Sequence, residues 1–146
     1  MLVLRPADVE ETTQAWKLAM ENTATPTALI FSRQNIANLP AGTDYTQTAK
    51  GAYIVAGADE NPDVILVASG SEVSTLVAGA ELLRKDGVKL RIVSVPSEGL
   101  FCSQSKEYQE SVIPTGAKVF GLTAGLPVNL QGLVGHNGKA VSYTHL

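Results

Sequence analysis

The middle of the chain alternates apolar runs with one amphipathic segment. Residues 63–69 and 90–95 are nearly continuous aliphatic runs, and residues 72–85 between them repeat apolar side chains at helical spacing. Strands that are apolar on both faces are typical of a covered parallel sheet. The pattern therefore predicts a right-handed strand–helix–strand unit at the centre of a mainly parallel, three-layer α/β fold.

Polar residues flank the predicted central helix. Ser69, with Glu72 three residues later, has the spacing of a capping box, and Gly87 suits the left-handed residue that ends a helix. The alternative is an anion site at residues 69–71, at the helix N-terminus. This turn lacks the further glycines of a phosphate cradle, so we interpret it as a cap.

The first 35 residues predict a smaller strand–helix–strand piece. A short apolar start leads to Asp8, which suits a helix N-cap, with Glu11 at the third helical position. Residues 27–31 then form a strand. Such a piece cannot cover both faces of a sheet unaided. We therefore interpret residues 1–35 as the end of an earlier α/β domain that does not join the central sheet.

The second part of the chain is expected to be a larger domain. Residues 36–50 are rich in turn-forming residues and are interpreted as a linker, and residues 51–140 as the domain that follows it. A turn at 59–62 precedes the central unit, and the glycine-rich residues 123–140 show little periodicity. Further elements are expected at 52–56, 105–112 and 117–122.

Composition narrows the classes of function. The chain has 146 residues and a net charge of −3, and its 11 basic residues are scattered, which argues against a nucleic-acid partner. No apolar run approaches the length of a membrane span, and no signal peptide opens the chain. The single Cys102 excludes an internal disulfide and fits a cytoplasmic location. The two histidines and the cysteine have no metal-ligand spacing.

Arg33 is the main candidate for a binding residue. It follows the predicted strand at 27–31, and active-site groups of parallel sheets gather at the carboxyl ends of strands. Position alone favours a surface arginine that pairs with a carboxylate. The neighbouring Ser32, Gln34 and Asn35 are expected to fix the loop.

Other residues with reactive or aromatic side chains receive simpler interpretations. No histidine lies near Cys102 in sequence, so we expect an ordinary, partly buried thiol there. His136 lies among glycines and is expected in a turn, and His145 is given no role. Trp16 and Met20 are interpreted as packing residues of the core or of a subunit interface.

Seven motifs together resemble those of one enzyme family. In chain order they are L-R-P-A-D, A-W-K, P-T-A-L-I-F-S-R-Q-N, G-A-Y-I-V, I-L-V-A-S-G-S-E-V, R-I-V-S-V-P-S and Y-Q-E-S-V-I-P. Over residues 2–140 the chain resembles transketolase, from the end of its pyrimidine-binding domain through most of its C-terminal domain. Transketolases transfer a two-carbon ketol unit between phosphorylated sugars of the pentose phosphate pathway, using thiamine diphosphate and Mg²⁺ or Ca²⁺.

The resemblance also implies a site and partners. Arg33 occupies the arginine position of the S-R-Q motif, which helps to hold the sugar phosphate, and a guanidinium group suits that role because it binds phosphate oxygens bidentately. The partners implied are the rest of the transketolase chain and a second subunit in a cytoplasmic homodimer.

The chain departs from the family in ways that predict a fragment. It lacks the G-D-G motif with its following asparagine, the catalytic histidines and the cofactor-activating glutamate. We therefore expect no cofactor or metal site on this chain and no activity of the chain alone. Residues 141–146 stand where the family continues into a final strand, and they match one reading frame of a sequencing-library adapter. We interpret them as a non-native tail.

Three alternatives to transketolase stay open. Deoxyxylulose-phosphate synthase and the β subunit of a 2-oxo-acid dehydrogenase share the domain order, and a stand-alone α/β binding or regulatory module would need no parent enzyme. The S-R-Q-N and A-S-G-S-E-V pair favours transketolase.

Overall fold

The structure is a computed structural model that describes residues 1–57 and 61–142. The described residues form seven strands, five α-helices and one 3₁₀ helix. In chain order these are β1 (Leu2–Leu4), α1 (Val9–Glu21), β2 (Thr27–Leu29), the 3₁₀ helix (Tyr45–Lys50), β3 (Tyr53–Ala56), β4 (Val64–Ala68), α2 (Glu72–Lys85), β5 (Leu90–Ser94), α3 (Glu98–Cys102), α4 (Lys106–Val112), β6 (Val119–Thr123), α5 (Val128–Val134) and β7 (Lys139–Ser142). Residues 59 and 60 of the predicted turn lie outside the described residues.

The strands form two separate sheets. β1 and β2 pair in parallel, with Leu4 opposite Leu29, while the other five strands form a sheet of order β3-β5-β4-β6-β7. Within that larger sheet only the β3–β5 pairing is antiparallel among the described strands. A mainly parallel α/β fold is therefore confirmed, and the N-terminal strands do not join the central sheet.

Helices cover both faces of the five-stranded sheet, because β4 and β5 are apolar on both faces. On one face Leu66 and Ile92 pack with Val73 and Leu76 of α2. On the other face Ile65, Val67 and Val93 pack with α3, α4 and α5. Successive strand residues point to opposite faces, which explains why neighbours such as Ile65 and Leu66 belong to different cores.

The predicted limits of the two long helices are confirmed. Asp8 caps α1 by accepting a hydrogen bond from the Glu11 N–H, and α1 ends at Glu21 with Asn22 as its C-cap, near the predicted end. α2 spans Glu72–Lys85 and is followed by Gly87 with φ +80°.

The predicted capping box of α2 is wrong. The N-cap residue is Ser71, and its side chain makes no capping hydrogen bond. The side chains of Ser69 and Glu72 contact Arg5 instead, because the N-terminal piece lies against this turn.

The glycine-rich residues 123–140 contain regular structure that the sequence pattern did not indicate. They form α5, and they lead into β7, which pairs in parallel with β6. α5 packs closely on β6 because Gly121 has no side chain: a Cβ there would lie 3.0 Å or less from Leu130 and Val134. β7 therefore extends into the residues that the sequence analysis interpreted as a non-native tail. Its last two residues are Val141 and Ser142. Residues 143–146, including His145, lie outside the described residues.

Residues 36–50 are more ordered than the linker interpretation suggests. Residues 45–50 form the 3₁₀ helix, and Leu39 and Thr48 are buried. The exact domain boundaries stay a prediction. None of the helices in residues 1–57 and 61–142 is long and apolar enough to span a membrane.

Candidate functional site

Arg33 lies in the exposed loop that follows β2, as predicted from the end of that strand. The Gln34 N–H donates to Ser32 Oγ at 3.0 Å, so Ser32 fixes this turn. Phe31, just before the loop, stacks on Trp16 with 6.2 Å between ring centroids. Arg33 forms no hydrogen bond or ion pair with any residue that the structure describes, so its guanidinium group is available for a ligand.

A cavity of about 390 Å³ lies between this loop and the first turn of α1. Ser32 and Gln34 line one side, and Asp8, Val9 and Thr12 line the other. The N-terminus of a helix carries a partial positive charge. The carboxyl groups of Asp8 and Glu10 at this end of α1 offset that charge, so the positive charge beside the cavity comes from Arg33.

Arg5, Asp8 and Glu11 extend from the N-terminal piece to residues 39–96, and we call their contacts the seam. The Arg5 guanidinium group donates to the carbonyl and the hydroxyl oxygen of Ser69 at 3.1 and 3.2 Å, and it pairs with Glu72 at 2.7 Å. Its backbone N–H also donates to the Pro96 carbonyl at 2.8 Å. Arg5 therefore ties the end of β1 to the loops that follow β4 and β5.

Asp8 contributes the second contact of the seam. One carboxylate oxygen accepts from the Glu11 N–H, and the other accepts from the Leu39 N–H at 2.8 Å and the Tyr45 hydroxyl at 2.6 Å. Burial and, to a smaller extent, the hydrogen bond to Asp8 raise the pKa of Tyr45 far above its usual range. The carboxylate is satisfied by these donors, so it does not need Arg33 as a partner.

Glu11 contributes the third contact and is fully buried. Its Oε1 accepts from the Tyr53 hydroxyl at 2.8 Å and the Ser94 hydroxyl at 2.7 Å, and its Oε2 accepts from the Ala7 N–H. Burial raises the pKa of Glu11, although these hydrogen bonds act in the opposite direction. Burial and the adjacent Glu11 raise the pKa of Tyr53. A buried carboxylate with several donors is costly to disturb, because losing one leaves charge unsatisfied.

The remaining candidates do not form a site. Cys102 is exposed, so the expectation of a partly buried thiol was wrong: it ends the short α3 at the surface. His136 is exposed in a turn, as predicted. Trp16 and Met20 are 52% and 77% exposed, which excludes them from the core of this chain.

No group of three or more His, Cys, Asp or Glu side chains among residues 1–57 and 61–142 could hold a metal ion. The described residues therefore do not fit the metal that accompanies thiamine diphosphate in the resembled family.

The sequence pattern missed the seam. Asp8 and Glu11 have the spacing of a capping box, and that local role explained them without distant partners. Ser94 was the available signal, since it is a buried hydroxyl in an apolar strand and buried polar groups need hydrogen-bond partners.

The fold and the seam define a class: an α/β protein in which a small parallel piece is held by polar contacts against a five-stranded sheet. The comparisons with known proteins agree and are more specific. Residues 51–146 match the family model described as the transketolase-like C-terminal domain. The chain belongs to the transketolase family and carries its C-terminal domain.

Individual relatives match nearly the whole chain. The transketolase of Staphylococcus aureus (strain MW2) is 43% identical over 145 residues, which are 97% of this chain and 22% of the relative. The crystal structure of Pichia stipitis transketolase in complex with sedoheptulose-7-phosphate has a TM-score of 0.86 at 36% identity, covering 96% of this chain and 20% of that one. Leishmania mexicana transketolase has a TM-score of 0.85 at 34% identity, covering 93% and 20%.

These matches favour transketolase over the two related thiamine enzymes and the stand-alone module. The chain spans about a fifth of the length of these relatives.

Proposed function

We propose that this chain is the C-terminal part of a transketolase that transfers a two-carbon ketol unit between phosphorylated sugars in the pentose phosphate pathway. The supporting observation is the match to transketolases over 97% of the chain, which includes residues on both sides of the seam. The chain alone is inactive in this proposal, because it supplies about a fifth of the enzyme.

Thiamine diphosphate and its Mg²⁺ or Ca²⁺ are bound by other parts of the parent enzyme. The described residues of this chain contain no acidic or histidine cluster for the metal, and the family's metal-binding motif is absent from the sequence. When bound there, the cofactor would carry the ketol unit between sugars. The residues of this chain bind and position the substrate.

Arg33 holds the phosphate group of the sugar. Three features support this role: the guanidinium group is exposed, it has no carboxylate partner among the described residues, and it lies in the loop at the carboxyl end of β2. Asp8, the acidic residue of the adjoining cavity, is satisfied by other donors and does not compete for Arg33.

The parent enzyme is a cytoplasmic homodimer in this proposal. Trp16 of α1 and Phe31 stack on each other while both are exposed, and contiguous exposed apolar surface of this kind supports a contact with another part of the enzyme or with the second subunit.

Arg33→Ala in the parent enzyme tests the phosphate role. A charge-assisted hydrogen bond contributes about 1.5–3 kcal/mol, and each 1.4 kcal/mol is about tenfold. We therefore expect kcat/KM for a phosphorylated ketose to fall by about ten- to a hundredfold. The value for an unphosphorylated ketose should change little, since the phosphate is remote from the reacting carbons.

Two further variants sharpen this test. Arg33→Lys should recover part of the loss, because a point charge cannot bind in the bidentate geometry. Arg84→Ala removes another exposed arginine, in the last turn of α2, and should leave both substrates unaffected. Equal losses for both ketoses in Arg33→Ala would show that Arg33 supports the fold instead of the phosphate.

A further inference from the structure

The seam lies directly beside the Arg33 loop in the structure. The Leu4 carbonyl at the end of β1 accepts from the Ile30 N–H at 2.9 Å, so β1 holds the end of β2. Arg5 follows at once and is held by the Pro96 carbonyl and by Glu72. Arg33 lies only three residues after Ile30. The position of its loop is therefore connected through β1 to the loop that follows β5 and to the start of α2.

A second connection runs through α1. Its first turn forms one wall of the cavity whose other wall is the Arg33 loop. That turn is held from behind by Glu11, whose carboxylate is fixed by Tyr53 of β3 and Ser94 of β5. The carboxylate also accepts from the Ala7 N–H, which is part of the same cavity wall. Glu11 thus joins the wall of the cavity to two strands of the larger sheet.

We propose that Glu11 is a positioning residue: through Tyr53 and Ser94 it fixes the first turn of α1 and, with it, the loop that presents Arg33 to the sugar phosphate. This inference rests on the phosphate role proposed for Arg33. Glu11 is fully buried, so it acts on the substrate only through that loop. The C-terminal domain thereby contributes to substrate specificity.

A change at Glu11 should act on phosphate recognition more than on the chemical step. Misplacing a binding group by about 1 Å can cost up to about a hundredfold in rate. The displacement here is transmitted through one helical turn, so we expect a loss of about three- to tenfold. It should be confined to substrates that carry the phosphate.

The test uses the parent enzyme with all its domains. Tyr53→Phe and Ser94→Ala each remove one donor to Glu11 Oε1, and the double variant removes both; Glu11→Gln removes the charge. We expect the ratio of kcat/KM for a phosphorylated to an unphosphorylated ketose to fall by about three- to tenfold in the double variant and less in each single variant. The single variants keep the test valid if Glu11→Gln does not fold.

Val112→Ala is the matched control for lost stability. Val112 is buried in the core on the other side of the sheet, in α4, away from the seam. It should lower the melting temperature and leave the ratio unchanged. A lowered melting temperature with an unchanged ratio in the Glu11, Tyr53 and Ser94 variants would overturn the positioning role, while a selective loss in Arg33→Ala would still support the proposed function. If Arg33→Ala lowers kcat/KM equally for both ketoses, the phosphate role of Arg33 and the positioning role of Glu11 are both refuted. The Arg33 variant therefore tests the proposed function separately from the Glu11, Tyr53 and Ser94 variants.

Discussion

Gly70→Ala should destabilise the chain more than Gly87→Ala, although both glycines have positive φ. Gly70 has φ +64° and Gly87 has φ +80°, so alanine is strained at both positions. A Cβ at position 70 would lie 2.9 Å from Arg5 Nε, whereas a Cβ at position 87 would meet no atom within 4 Å. The difference between the two variants therefore measures the contact with Arg5.

The magnitude follows from these two contributions. A left-handed conformation costs an L-residue about 1–2 kcal/mol, and this applies at both positions. At position 70 the new methyl group also displaces the Arg5 side chain from Ser69 and Glu72. The lost hydrogen bonds contribute about 0.5–1.5 kcal/mol each. The ion pair adds little, since Arg5 and Glu72 are 26% and 13% exposed and such pairs are partly screened. We expect an excess of about 1–3 kcal/mol for Gly70→Ala.

Urea unfolding at low protein concentration, followed by far-ultraviolet circular dichroism, measures the free energy of unfolding of each variant. The same two substitutions are then made in an Arg5→Ala chain. There the excess should vanish, because the methyl group at position 70 no longer meets a side chain. Equal costs for the two variants in the unaltered chain, or an excess that persists in Arg5→Ala, would refute the reasoning.

Two further predictions concern protonation and the cofactor. Burial raises the pKa of Glu11 above 4.5, so its protonation stabilises the fold fully below about pH 4.5, and this contribution is lost as the pH rises through the folded-state pKa. Glu11→Gln should remove that part of the pH dependence of the urea midpoint, and identical pH profiles would contradict it. Titration calorimetry of the 146-residue chain with thiamine diphosphate and Mg²⁺ should show no binding, because the family's metal-binding motif is missing; micromolar, Mg²⁺-dependent binding would contradict this.

The sequence pattern predicted the elements whose side chains repeat regularly. α2 was placed at its observed limits and the strands on either side of it to within one residue, because their apolar pattern is strong. α5 was missed, since it has only seven residues, Gly132 lies within it and Pro127 directly precedes it. β7 was missed because the backbone hydrogen bonds to β6 that define it leave little trace in side-chain pattern.

The seam shows a different limit of sequence reasoning. Glu11 is separated from its partners by 42 residues at Tyr53 and 83 residues at Ser94, and only the folded chain brings them together. Local spacing led us to interpret both Asp8 and Glu11 as capping residues. This interpretation is correct for Asp8. The position of Arg33 at the end of a strand was predictable, whereas its role as a phosphate ligand came from the family motif.

The seam constrains how transketolases can be recombined. A crossover placed in residues 36–44 looks favourable because it separates the two sheets, yet it would take Asp8 and Glu11 from one parent and Tyr45, Tyr53 and Ser94 from the other. Chimeras made there keep their interdomain hydrogen bonds only if both parents carry the same matched set. Screening parental pairs for that set is therefore a simple rule for building libraries of hybrid enzymes.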